Sequence, residues 1–176
     1  MRQTKLSFLV KSCLVLAVLF LFGCMSPGYR VLDEIDPYTK VHVIKQSQNG
    51  GLALSYSTGY HFNLHYRPDS SQLMIELIYD ASDWLFINEY SESVVFLADG
   101  ESIALETGKV YRDTYMSTEA MVKEWTYIPI DIETIKKLAH AKTLTCRIYG
   151  SQYYSDATQL PSIQANWRTF INEHLK

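Results

Sequence analysis

The chain has 176 residues, 47% hydrophobic and 20% charged, with a formal charge of -3. This excludes the apolar-poor, charge-rich composition of a disordered chain, and it fits one domain with a real core rather than two. Acids outnumber bases and no Lys/Arg run occurs, so the chain is a poor candidate for nucleic-acid binding, which depends on neutralising phosphates.

Arg2, Lys5 and Lys11 precede an uninterrupted apolar run over residues 13–22, followed by Gly23 and Cys24. Such a run suits a signal-peptide core and is about half of the roughly 20 residues a spanning helix needs. Leu21-Phe22-Gly23-Cys24 resembles the lipobox of bacterial lipoproteins. The resemblance implies diacylglycerol on the Cys24 thiol, cleavage of the bond before it, and loss of residues 1–23. Cys24 would then be the lipidated first residue of the mature chain. In Gram-negative members an Asp after the Cys commonly signals inner-membrane retention. Met25 stands there instead, which implies the outer membrane, facing the periplasm. Removing residues 1–23 takes away three bases and no acid, leaving 13 basic against 19 acidic side chains, a balance of -6. No polybasic patch supports attachment to anionic lipid, so membrane contact is expected through the lipid on Cys24.

Residues 24–28 read as a short tether and 29–176 as a β-rich globular domain. A strand over 29–35 ends at the turn signal Asp36-Pro37. Segments 40–46 and 52–57 flank Asn49-Gly50-Gly51, which predicts a hairpin. Residues 61–66 alternate, with Phe62, Leu64 and Tyr66 on one face and His61, Asn63 and His65 on the other. Pro68 marks a turn, and strands are expected over 73–79 and 84–88. Asp99-Gly100 predicts a hairpin between 93–97 and 102–105. Segments 110–116 and 121–128 form a third, with a loop over 117–120. That register sets Arg112 opposite Trp125, its guanidinium over the indole, and Asp113 opposite Glu124.

Ile132, Ile135, Leu138 and Ala139 have helical spacing, with Asp131 placed to cap the start. Ile163, Trp167, Phe170, Ile171 and Leu175 form the stripe of a second helix, with Pro161 in its first turn. Between them a strand over 143–149 turns Leu144, Cys146 and Ile148 inward. The 13 Tyr residues and the short Val, Ile and Thr runs agree with these elements. The expected fold is mainly β with two helices, of the α+β class. It is an antiparallel β-sandwich or curled sheet with the C-terminal helix packed on it.

His61 and His65 are a metal temptation, but four residues of strand separate them by about 13 Å, too far for one ion. Cys146, on an inward face, reads as a buried, inert thiol. Ser102 follows a hairpin turn rather than the strand-to-helix elbow a nucleophile needs. Asp80, Asp83, Glu89 and Glu92 lack calcium-loop spacing and read as a solvated face. No catalytic residue, metal or cofactor is assigned. Tyr149, Tyr153 and Tyr154, beside Gly150, are the candidate partner-binding residues, because loop aromatics stack on sugars or pack against proteins. The expected function is a cell-envelope lipoprotein acting as a binding or accessory module for an envelope protein assembly or cell-wall glycan. The alternative is a periplasmic enzyme whose site is assembled from dispersed residues. A cleft with two titratable groups in hydrogen-bond reach would favour the enzyme; an exposed aromatic patch on a filled core would favour binding.

Overall fold

The computed structural model describes residues 29–52, 58–157 and 160–175. Cys24 and its tether lie outside them. The first sheet contains β1 (Arg30–Ile35), β2 (His42–Ser47), β3 (Gly50–Leu52), β4 (Thr58–Arg67), β5 (Gln72–Ala81), β8 (Val110–Met116) and β9 (Ala120–Pro129). Its order is β1-β2-β4-β5-β9-β8, with β3 also on β4. The second contains β6 (Val94–Ala98), β7 (Glu101–Leu105), β10 (Leu144–Tyr149) and β11 (Tyr154–Ala157), in the order β11-β10-β6-β7. Every pairing is antiparallel. The helices are α1 (Ile132–His140) and α2 (Leu160–His174). The mainly β, α+β expectation therefore holds, with the C-terminal helix on the sheet.

Alternation decides which side of each strand is buried. On β5, Leu73, Ile75, Leu77, Tyr79 and Ala81 point inward; on β4, so do Tyr60, Phe62 and Leu64. They meet the second sheet through Phe62 and Phe96, whose ring centroids are 5.7 Å apart. The Tyr60 hydroxyl also hydrogen-bonds the Ser155 hydroxyl across the interface. Trp167 of α2 is fully buried and packs edge-on against both Phe62 and Phe96. One helix thus seals both sheets. Asp131 caps α1 as expected, its carboxylate accepting the Thr134 N–H at 2.7 Å. Asp99 and Gly100 both take positive φ, 51° and 88°, which a tight hairpin turn requires.

Three local expectations are corrected. Asn49-Gly50 is not a hairpin turn: β2 and β3 lie end to end along β4, and the residues between them bulge. Asn49 offsets the interrupted ladder. Its backbone carbonyl accepts the Phe62 N–H, and its Nδ2 donates to the Phe62 carbonyl, both at 2.9 Å. Its own N–H donates to Asn63 Oδ1 at 2.9 Å. Gly50 is needed because a Cβ there would overlap the His61 ring. Residues 52–57, the other half of the expected hairpin, fall mostly outside the described residues.

Residues 84–88 are not a strand but a loop touching Gly150 through one isolated bridge at Ile87. The β8–β9 loop is one residue shorter than expected, because Met116 pairs with Ala120. Arg112 therefore faces Glu124, Asp113 faces Lys123, and Tyr111 faces Trp125. Arg112 and Trp125 lie on opposite faces of the sheet, so no guanidinium–indole stack exists. The slip replaces the acid–acid pairing of Asp113 and Glu124 with two oppositely charged pairs, which is the electrostatic reason the shorter loop wins.

Candidate functional site

Two surfaces stand out. The first is an aromatic end formed by the β5–β6 loop, residues 82–93, and the β10–β11 hairpin. Gly150 allows them to close together, since a Cβ there would overlap the Leu85 carbonyl. Asn88 N donates to the Tyr149 carbonyl and Ser151 N to the Phe86 carbonyl. The Tyr153 hydroxyl donates to the Trp84 carbonyl. Trp84 and Phe86 stack with centroids 5.9 Å apart. The sequence-predicted residues Tyr149, Tyr153 and Tyr154 are 39%, 45% and 51% exposed; Tyr153 reaches Trp84, whereas the rings of Tyr149 and Tyr154 pack on each other, with Arg147 over Tyr154.

Beneath the aromatic end lies a carboxylate with 0% exposure, that of Glu124. Its Oε1 accepts the N–H groups of Leu85 and Phe86 at 2.7 and 2.8 Å, and Oε2 accepts that of Ile87 at 3.0 Å. Arg112 Nε adds a charge-assisted bond to Oε2 at 3.1 Å, and its Nη2 reaches the Ile87 carbonyl. A loop that would otherwise leave three donors unmatched is therefore clamped from below. The clamp holds Phe86 at φ 54°, a backbone state costly for a bulky residue, with its ring 45% exposed. Asp83, Glu89 and Glu92 flank it in sequence on the same loop, and residues 80–93 contain no Lys or Arg. Of the nearby cations, Arg147 is taken up by Asp156 at 2.7 and 2.9 Å, and Arg112 by Glu124 and Glu89.

The second surface is the outer face of the first sheet. The strands curl so far that Glu34 of one edge strand and Tyr111 of the other line a single open hollow of about 700 Å³. Through Lys45, His65 and Tyr127 it runs into a second hollow of about 430 Å³. Its floor follows the expected outward parity of His61, Asn63 and His65. Glu76 accepts from Asn63 Nδ2 at 2.8 Å and the Tyr127 hydroxyl at 3.2 Å, and pairs with His65 Nε2 at 3.3 Å. Burial pushes the Glu76 carboxyl up, but the bonds from His65, Asn63 and Tyr127 outweigh it and hold it at about 2. Burial also lowers His61, favouring its neutral ring.

Glu76 and His65 are two titratable groups within hydrogen-bond reach in a cleft, the arrangement an enzyme would need. A carboxylate held at about 2 is, however, a weak base near neutral pH. The arrangement is a fixed acceptor with three partners, suited to orienting His65. Cys146 sits buried on β10, where burial pushes its thiol well above the ordinary range. Ser102 lies within β7, paired with Leu97, and not at a nucleophile elbow. Among the described residues no group of three His, Cys, Asp or Glu side chains could hold a metal ion, and no helix is long and apolar enough to cross a membrane.

Sequence reasoning missed Trp84, Phe86 and Glu124. The first two were hidden in an apolar run that looks like a strand. Glu124 carried a usable signal: it shares the inward parity of Val122, Thr126 and Ile128, where a carboxylate needs donors. No protein-family model, no curated protein and no solved structure matches the chain.

Proposed function

We propose that the chain is a cell-envelope lipoprotein, anchored through acyl chains on Cys24, whose mature domain is a binding module that presents its aromatic end to an envelope protein. The lipobox resemblance at residues 21–24 supports the anchor. The observation that carries the binding role is Phe86, exposed and held at φ 54° by the buried Glu124 carboxylate. Strain of this kind persists only where the surroundings enforce it, and Phe86, although stacked on Trp84, leaves much of its surface to solvent. The acidic border suits a partner segment carrying Lys or Arg, whose charges would complement Asp83 and Glu92.

Two measurements test this. The intact mass of the membrane-extracted protein should correspond to a chain starting at acylated Cys24. A species retaining Met1, or an unacylated Cys24, would overturn the anchor. Affinity capture from solubilised envelopes should yield a partner that is lost with Phe86→Gly or Tyr153→Ala. Capture unchanged in both variants would overturn the binding surface.

A further inference from the structure

We propose that the trough on the outer face of the first sheet is a second binding site, for the sugar units of a neutral, N-acetylated cell-wall glycan. His61 stands at the centre of the inner part of the trough. Its imidazole lines the inner hollow and, among the described residues, engages in no hydrogen bond. A neutral imidazole offers one donor and one acceptor, the pairing that hydroxyl and amide groups complement. Around it stand Lys123 and Lys45 against Glu76 and Asp80, so the lysines and acids lining this hollow are equal in number. In this inner hollow a charged ligand would meet as many like as opposite charges, whereas a neutral polar one meets none that repel it.

The floor is preorganised. Asn63 spans the sheet, its Oδ1 accepting from Asn49 at the bulge and its Nδ2 donating to Glu76. Glu76 is thereby fixed in place with lone-pair capacity left on Oε1, which takes only the Tyr127 hydroxyl. The adjoining hollow adds apolar wall from Val43 and Met74. An N-acetyl group presents a donor, an acceptor and a methyl group together, which this combination of polar floor and apolar wall can accommodate. Each hollow lies in the size range of ligand clefts, and the open trough admits a chain rather than one enclosed ring. The choice of a wall glycan rests on the envelope placement proposed above; the site itself does not rest on the aromatic end.

The test uses the full acylated chain in detergent micelles, titrated with chitohexaose and, separately, with maltohexaose, following the His61 imidazole resonances by NMR. Chitohexaose should give a saturable His61 shift and maltohexaose none. His61→Ala should weaken chitohexaose binding about tenfold, and His61→Gln, which keeps a donor and an acceptor, should recover most of it. Should His61→Ala fail to fold, Lys123→Ala carries the test, with a several-fold loss expected. Absence of a saturable response, a maltohexaose response as strong as that to chitohexaose, or binding unaffected by His61→Ala and Lys123→Ala would overturn the proposal. The intact-mass and partner-capture experiments succeed or fail independently of this one.

Discussion

The aromatic end and the trough use hydrogen-bonded carboxylates in opposite ways. Glu124 turns inward and fixes backbone, so that apolar rings face water above an acidic border. Glu76 turns outward and fixes side chains, so that polar groups line a concave surface of balanced charge. The first arrangement supplies apolar area and charge selection, the currency of protein–protein contact; the second supplies directed hydrogen bonds. One β-strand ladder serves both, since β9 sends Glu124 to one face and Tyr127 to the other.

The largest effect should come from Trp167→Ala, which removes packing common to both sheets and should cost roughly 3–5 kcal/mol in denaturant unfolding. Truncation after Pro161 should likewise lower the melting temperature; an unchanged value would make α2 an accessory tail. Glu124→Ala should cost about 3 kcal/mol by leaving Arg112 and three backbone donors unmatched. It should raise amide exchange in residues 85–87 while leaving β4 and β5 protected. Equal deprotection of the trough strands would show that the two regions are one cooperative unit.

Glu76 gives a smaller effect with a defined pH window. Its folded carboxyl titrates at about 2, below the ordinary value of 4.5, so its stabilisation is present above pH 4.5 and is lost as pH falls toward about 2. Allowing for solvent screening, the contribution is about 2 kcal/mol. Glu76→Gln should flatten this part of the acid limb; an unchanged slope would show that other carboxylates set it. The smallest effect should be that of Phe86→Gly. Relief of the positive φ offsets lost stacking on Trp84 and the entropy of Gly, so stability should stay within about 1 kcal/mol. A loss above about 2 kcal/mol would make Phe86 structural rather than a displayed ring.

Much of the fold was legible because alternation and helical stripes report burial directly. Phe62 and Leu64, Cys146 and Ile148, and Trp167 and Phe170 all lie buried where their spacing indicates. The errors share a cause: a local signal was outweighed by a partner distant in sequence. Asn49-Gly50 has turn chemistry, but Asn63, Phe62 and Asn166 supply the hydrogen bonds that turn it into a bulge. Residues 84–88 are apolar enough for a strand, but Glu124 draws three successive N–H groups to one point, which an extended strand cannot do. Of the aromatic end, the tyrosines were visible and the rings they border were not. The outward parity of His61, Asn63 and His65 was readable, whereas the curl that makes a trough of that face was not.

The bulge between β2 and β3 also bears on the order of folding. Asn166 donates to Asn49 across 117 positions of sequence, and the Trp167 indole donates to the Phe62 carbonyl across 105. The bulge of an early-synthesised sheet is thus bonded by side chains made more than a hundred residues later. Such long-range closure slows folding, because the loop entropy must be lost before the contacts form. A nascent chain that has not yet produced residues 160–174 lacks these two bonds at the bulge.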